Sequence, residues 1–94
     1  MFINGVWNIT AATGTNNILS WTWTLGSVKR LVVVNYHSSI STGRIKLPNI
    51  SGSGSVVVKE LISNQSFNRN AEEIRNQGLH VVVNAYTSQI FEFP

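Results

Sequence analysis

The chain is 94 residues long, enough for one domain with a modest core, and its 43% hydrophobic content is ordinary for a globular protein. It has no cysteine, which excludes disulfides and a thiolate zinc site. The net charge of +3 comes from a shortage of acids, and the seven basic residues are scattered along the chain. Without a basic cluster, no nucleic-acid partner is predicted.

The N-terminal residues 1–14 contain neither a basic segment nor a long apolar stretch, so they lack the pattern of a signal peptide. The longest apolar run is about four residues, far short of the roughly 20 that a membrane-spanning helix needs. No membrane partner is therefore predicted, and the composition indicates no particular compartment.

A strand is predicted at residues 18–25, where large apolar side chains alternate with Ser and Thr. The alternation places four apolar residues on one face of the strand: Leu19, Trp21, Trp23 and Leu25. Because a Trp side chain buries on the order of 200 Å² in a packed interior, we interpret this face as part of the core rather than as an exposed platform.

Gly26 and Ser27 then supply a two-residue turn, and residues 28–36 form the returning strand of a hairpin. A turn of that length places Trp23 opposite Arg30. Residues 31–34 are apolar on both faces, which is typical of a central strand covered on both sides.

The remaining elements are also short and are separated by polar loops. The loop at 51–55, Ser-Gly-Ser-Gly-Ser, has the composition of a flexible link, and residues 71–75 have helical character for one turn that ends before Gly78. Further strands are predicted at 44–47, 56–62, 66–69, 79–84 and 89–93. The pattern predicts an all-β protein, an antiparallel Greek-key β-sandwich of about six to eight strands, in which residues 1–94 form a single domain.

Residues that could perform catalysis are few. The chain has no Asp, and its four acids are Glu60, Glu72, Glu73 and Glu92. His37 and His80 are far apart in the sequence and have no metal-ligand spacing. We therefore predict no catalytic, cofactor or metal site, and we expect that the chain is not an enzyme.

Aromatic side chains are the remaining candidates for a binding function, because an aromatic plane can stack on the C–H face of a sugar ring. Tyr86 is the best placed of them, since it adjoins a predicted turn. The candidate sugar-stacking residues are Tyr86, Trp7, Trp21 and Trp23. Binding through them competes with the interpretation of the Trp21 and Trp23 pair as core.

Several segments form a recognisable series. Arg30–Tyr36 reads Arg-Leu-Val-Val-Val-Asn-Tyr, and Gly43–Pro48 reads Gly-Arg-Ile-Lys-Leu-Pro. The other segments are Ser20–Trp23, Glu60–Ser63, Phe67–Arg69, Gly78–Val81 and Phe91–Glu92. Their order and spacing, over about residues 17–93, resemble the C-terminal β domain of alpha-amylase family glycoside hydrolases. The chain departs from that family at 51–55, where relatives often have a Trp, and at 84–86, where many have a Pro-Trp turn.

The resemblance implies a Greek-key sandwich without catalytic residues, because the family's catalytic Asp and Glu lie in a (β/α)₈ barrel that this chain lacks. In relatives the domain packs on that barrel and stabilises it. We therefore expect a non-catalytic accessory domain with a structural or interaction role, whose partner is a separate catalytic barrel or, as a homo-oligomer, a second copy of the chain. Two alternatives stay open: a carbohydrate-binding module for alpha-glucan-like oligosaccharides, and an independent glycosidase that uses Glu60 or Glu92.

Overall fold

The computed structural model describes residues 6–10, 12–13 and 17–94, with side chains from residue 17 onward. In this part of the chain nine strands form two antiparallel sheets, and the helix has only six residues. None of the described helical residues belongs to a helix long and apolar enough to cross a membrane. The protein is all-β, as predicted.

The nine strands exceed the predicted six to eight because β1 and β2, near the N-terminus, are short and show too little alternation to be recognised in the sequence. The other strands and the helix follow the predicted elements to within two residues, except β5, which begins three residues before the predicted strand 44–47 and ends two residues before its end. The elements are β1 (Val6–Thr10), β2 (Ala12–Thr13), β3 (Ile18–Leu25), β4 (Val28–Asn35), β5 (Ser41–Ile45), β6 (Ser55–Glu60), β7 (Gln65–Asn70), α1 (Ala71–Asn76), β8 (Leu79–Val83) and β9 (Ser88–Phe93).

The larger sheet has six strands in the order β1-β3-β4-β9-β6-β7, and the smaller sheet has three in the order β2-β5-β8. Strands β3 and β4 form the predicted hairpin, whose turn begins at Gly26 with a φ of +59° that glycine adopts without strain. The predicted register is confirmed, since Trp23 lies opposite Arg30.

The assignment of the face with Leu19, Trp21, Trp23 and Leu25 to the main core was wrong, although Trp23 itself is buried as predicted, with 4% of its side chain exposed. Ile18, Ser20 and Thr22 point towards the core, and Thr22 lies opposite the fully buried Leu31. The face with Trp21 is therefore the outer face of the larger sheet. Alternation shows which residues share a face, but the neighbouring strand decides which face turns inward, and β4 presents its most buried residues on the side of Ser20 and Thr22.

The core lies between the two sheets. The larger sheet contributes Ile18, Leu31, Val33, Val58, Phe91 and Phe93, and the smaller sheet contributes Ile45, Leu79, Val81 and Val83. Leu47 and Ile50, from the segment after β5, and Ile74, from α1, complete the cluster. At roughly 25 cal/mol per Å² of apolar surface removed from water, this single cluster dominates the stabilisation of the fold.

The short helix α1 is confirmed at the predicted position. Asn70 caps it, because its side-chain oxygen accepts the backbone N–H of Glu73 at 2.8 Å. Ala71 and Ile74 are buried against the core, so packing stabilises a helix that is too short to persist alone.

Side chains from elsewhere in the chain hydrogen-bond to the glycine- and serine-rich segment 51–55. Lys29 Nζ donates to Ser51 Oγ at 2.7 Å, and Arg75 Nη2 donates to the carbonyl of Gly52 at 2.9 Å. The composition of the segment predicted a flexible link, because composition takes no account of side chains elsewhere in the chain. In the structure, the side chains of Lys29 and Arg75 connect this loop to the rest of the protein.

Candidate functional site

One candidate site, which we call the tyrosine end, consists of the loop 36–40 between β4 and β5 and the turn 84–87 between β8 and β9. The side chain of Asn35, buried at the end of β4, joins the two. Its Nδ2 donates to the backbone carbonyls of Ser39 at 2.9 Å and Asn84 at 3.2 Å, one in each segment. The two segments therefore form one ordered surface.

Tyr86 projects from the tyrosine end and is 72% exposed. Its φ of +54° is a left-handed conformation that costs a non-glycine residue roughly 1–3 kcal/mol. The backbone N–H of Tyr86 donates to the carbonyl of His37 at 3.2 Å, which helps to hold this conformation. Tyr36 and Ile40, in the neighbouring loop, are exposed as well. This end of the sandwich thus presents aromatic and apolar side chains on a strained, well-anchored turn.

A second candidate site is the outer surface of the larger sheet, which we call the tryptophan face. Cross-strand pairing places Leu19 beside Val34, and it places Trp21, Val32 and Ile90 in one row. Leu19 is exposed, and the other four side chains are partly exposed. Because monomeric proteins seldom expose contiguous apolar patches of large size, such a face is typical of a contact surface.

One edge of the tryptophan face is charged. Arg30 and Glu92 form a salt bridge across β4 and β9, with Nη2 and Oε2 3.1 Å apart. The Arg30 guanidinium also lies 5.8 Å from the centre of the ring of Trp23, which is only 4% exposed. Trp23 is therefore buried beneath this ion pair, on the opposite side of the sheet from the main core.

A third feature is a cleft of about 200 Å³, which we call the edge cleft. It lies between β7, the last strand of the larger sheet, and β8, the last strand of the smaller sheet. Val58 and Val81 belong to the core and contribute apolar surface, while Phe67 and Gln89 add an aromatic ring and an amide. Glu60 is the described carboxylate that lines this cleft.

The carboxylate of Glu60 accepts four hydrogen bonds. Its donors are the backbone N–H groups of Ile62, Ser63 and Ile90, at 3.1, 2.7 and 2.9 Å, and the Ser63 hydroxyl at 2.7 Å. Burial raises the pKa of Glu60, but the hydrogen bonds from Ser63, Ile90 and Ile62 outweigh it and hold the pKa below the usual value of 4.5. Glu60 therefore closes the turn between β6 and β7 as an ionised acceptor.

Replacing Glu60 with Gln should destabilise the protein by about 1–3 kcal/mol at neutral pH, because an amide NH₂ would face backbone donors. Since the folded pKa is lowered, the contribution of Glu60 is present above the unfolded pKa and is lost as the pH falls through the folded value. The difference between wild type and Glu60→Gln in urea unfolding should therefore shrink below about pH 4.5.

Glu73→Gln is the matched control, since this side chain is exposed on α1. It should change the unfolding free energy little at any pH. A constant difference between wild type and Glu60→Gln from neutral to acidic pH would contradict the role assigned to this carboxylate.

The predicted sugar-stacking residues occupy different positions. Tyr86 is at the tyrosine end, Trp21 is in the tryptophan face, and Trp23 is beneath its charged edge. Trp7 is in β1 opposite Trp23, and its side chain is outside the described residues. Sugar stacking stays a prediction for all four, and Tyr86 offers the most accessible ring among those whose side chains the structure describes.

Two residues that organise these sites were not recognised from the sequence. Asn35 carried a usable signal, because a polar residue that ends an apolar strand must find partners if it is buried. Gln89 carried none, since a Gln in a terminal strand is ordinarily exposed. Its position on the inner face of β9 follows from its pairing with the buried Val33.

No protein-family model matches the chain, and no curated protein matches its sequence. Among solved structures, it is similar to a candidate alpha-N-acetylgalactosaminidase of Bacillus halodurans C-125, with a TM-score of 0.65 and 9% sequence identity. The chain shares the fold of the matched region of that protein. The match covers 89% of this chain and 20% of that protein, so the chain spans about a fifth of its length. At this identity the likeness concerns the fold alone.

Proposed function

We propose that this protein is a non-catalytic accessory β domain that packs on the catalytic body of a glycoside hydrolase, as the resemblance to the C-terminal domain of the alpha-amylase family implies. The observation that carries the proposal is the tryptophan face, an apolar surface on the outside of the larger sheet. The similarity to a fifth of a larger candidate glycosidase supports it, because most of that protein lies outside the matched region.

The tryptophan face is suited to a protein partner. It is apolar, with Trp21 in a row between neighbouring strands and the Arg30–Glu92 ion pair at its edge. Interfaces commonly combine an aromatic, desolvated centre with a polar rim, and Trp is enriched among the residues that contribute most to affinity. The partner surface should accordingly be apolar, with polar groups opposite the ion pair.

The chemistry of the glutamates supports a non-catalytic role. Paired-carboxylate hydrolysis needs two acids flanking one bond, of which one is kept protonated as the general acid. Among the described residues lining the edge cleft, Glu60 is the one carboxylate, and hydrogen bonds lower its pKa instead of raising it. Glu92 is instead paired with Arg30 on the tryptophan face.

An apolar face without its partner should make the isolated chain self-associate in a concentration-dependent way. We expect sedimentation velocity to show oligomers that disappear in Leu19→Lys, because a charge within a buried contact must be desolvated. Ile62→Lys is the matched control: Ile62 is an exposed aliphatic residue, 59% accessible, in the turn between β6 and β7 and therefore off the tryptophan face. A wild-type chain that stays monomeric at every concentration, or equal effects of the two substitutions, would contradict the proposal.

Carbohydrate binding is the second candidate function. The observation that favours it is Tyr86, whose exposed ring stands on a strained backbone that Asn35 and His37 hold in place. Strained and well-anchored turns of this kind are concentrated at binding sites. A sugar that stacks on Tyr86 would perturb the amide resonances of residues 84–87.

A further inference from the structure

The edge cleft contains a buried acceptor without a partner. Gln89 lies on the inner face of β9, where it pairs with Val33 and shares its face with Phe91. Its Nε2 donates to the carbonyl of Val82 at 3.0 Å, and because a carbonyl only accepts, this bond determines which end of the amide is the nitrogen. Gln89 Oε1 is then a buried oxygen with no hydrogen-bond partner among the described residues.

An unsatisfied buried acceptor costs about 1–3 kcal/mol, and such groups in native proteins call for an explanation. A ligand that donates an O–H or N–H to Gln89 Oε1 would remove that cost. Gln89 is one of the residues that line the open cleft, but Oε1 itself is covered from solvent, so this bond requires the side chain to turn towards the space that the ligand occupies.

The other groups of the cleft define the chemistry of that ligand. Ser63 gives its hydroxyl proton to Glu60, so towards a ligand its oxygen can only accept. The guanidinium of Arg69 lies 5.1 Å from the centre of the Phe67 ring. One of its nitrogens, Nη1, donates to the carbonyl of Asn68, and the guanidinium has further N–H groups that can donate to a ligand. The cleft therefore offers both acceptors and donors beside apolar surface.

The charge and size of the cleft restrict the ligand further. The ionised carboxylate of Glu60 and the guanidinium of Arg69 both line the cleft, so their formal charges balance, and this favours a neutral ligand. The volume of about 200 Å³ is below the roughly 300–1,000 Å³ of sites for drug-sized molecules. A single small ring fits these dimensions better than an extended chain.

We infer that the edge cleft binds one neutral hydroxylated ring, a monosaccharide unit or cyclic polyol. One hydroxyl donates to Gln89 Oε1, another accepts from Arg69, and the C–H face of the ring lies against Phe67 and the apolar wall. The inference deepens the carbohydrate-binding alternative and rests on it for the class of ligand. It does not depend on docking through the tryptophan face.

The test is an NMR titration of the ¹⁵N-labelled full chain with glucose, galactose, N-acetylgalactosamine and myo-inositol, one at a time. We expect at least one of them to shift the resonances of Phe67, Leu79 and Gln89, which border the cleft. Gln89→Leu should weaken that binding about tenfold, the effect of one hydrogen bond to a buried acceptor. Arg69→Gln, a change at an exposed residue that leaves the fold intact, should weaken it as well.

Tyr86→Phe is the control, because it keeps an aromatic ring at the tyrosine end and leaves the cleft unchanged. Shifts confined to residues 84–87 would overturn the edge-cleft site and support stacking on Tyr86 instead. The absence of shifts with all four compounds would overturn both sugar sites while leaving the docking proposal standing. Binding that is unchanged in Gln89→Leu and Arg69→Gln would also overturn the inference.

Discussion

Asn35→Asp is expected to destabilise the protein by roughly 3–5 kcal/mol at neutral pH, because it places an uncompensated charge in a buried position. The side chain of Asn35 is 1% exposed, and its Nδ2 donates to the carbonyls of Ser39, Val83 and Asn84 at 2.9, 2.9 and 3.2 Å. A carboxylate would remove these donors and direct a negative oxygen at three carbonyls. Denaturant unfolding monitored by tryptophan fluorescence measures the loss.

The pH dependence of this variant is a second readout. Burial against carbonyls raises the pKa of a carboxyl group in the folded protein. The charged Asp therefore lowers the free energy of unfolding at pH values above its unfolded pKa, and this loss becomes smaller at lower pH, where the carboxyl group is protonated. The difference between wild type and Asn35→Asp should therefore decrease as the pH falls. Asn84→Asp, the same change at an exposed position of the adjoining turn, should have little effect. Equal losses at the two positions would contradict the role assigned to Asn35.

The loss in Asn35→Asp should also extend to the tyrosine end. The carbonyls of Ser39 and Asn84 belong to its two segments, and the amide nitrogen of Asn35 connects them. Without that connection, the left-handed conformation of Tyr86 loses part of the scaffold that stabilises it. Any binding that depends on Tyr86 should weaken more than the global loss of stability explains.

Gly78→Ala is expected to cost about 2–6 kcal/mol, the sum of a backbone and a steric penalty. Gly78 has a φ of +109°, and an added Cβ would lie 2.8 Å from the backbone N and 3.0 Å from the backbone C of Ile45. Strand β5 cannot retreat easily, because Ile45 is fully buried in the core and paired with β8. Thermal or urea unfolding measures the effect.

Gly26→Ala separates the two penalties. Gly26 has a φ of +59°, yet nothing lies within 4 Å of its added Cβ, so this substitution carries backbone strain alone. We expect a loss of roughly 1–2 kcal/mol there, clearly less than at Gly78. If the two alanine substitutions cost the same, the close approach of Gly78 to β5 would not be a determinant of stability.

Much of the fold was predictable, because strands carry a local signal. The alternation in 18–25 and the Gly26-Ser27 turn predicted both the β3–β4 hairpin and its register. Asn70 and the buried Ile74 are likewise local features of a short capped helix. The candidate sites were less predictable. Gln89 became significant only because pairing with Val33 placed it on the inner face of the larger sheet.

The amino-acid sequence alone determined which side chains share a strand face and where the chain turns. It also showed that the charged residues are too few to form a cluster. Each of these properties depends only on composition or on neighbours within a few residues. Three other features depend on contacts between residues far apart in the chain. They are the direction in which the Trp21 face points, the hydrogen bond from Lys29 to the segment 51–55, and the cleft between β7 and β8. Such contacts exist only once both sheets have formed, so the fully assembled sandwich alone decides which surfaces are available to a partner or a ligand.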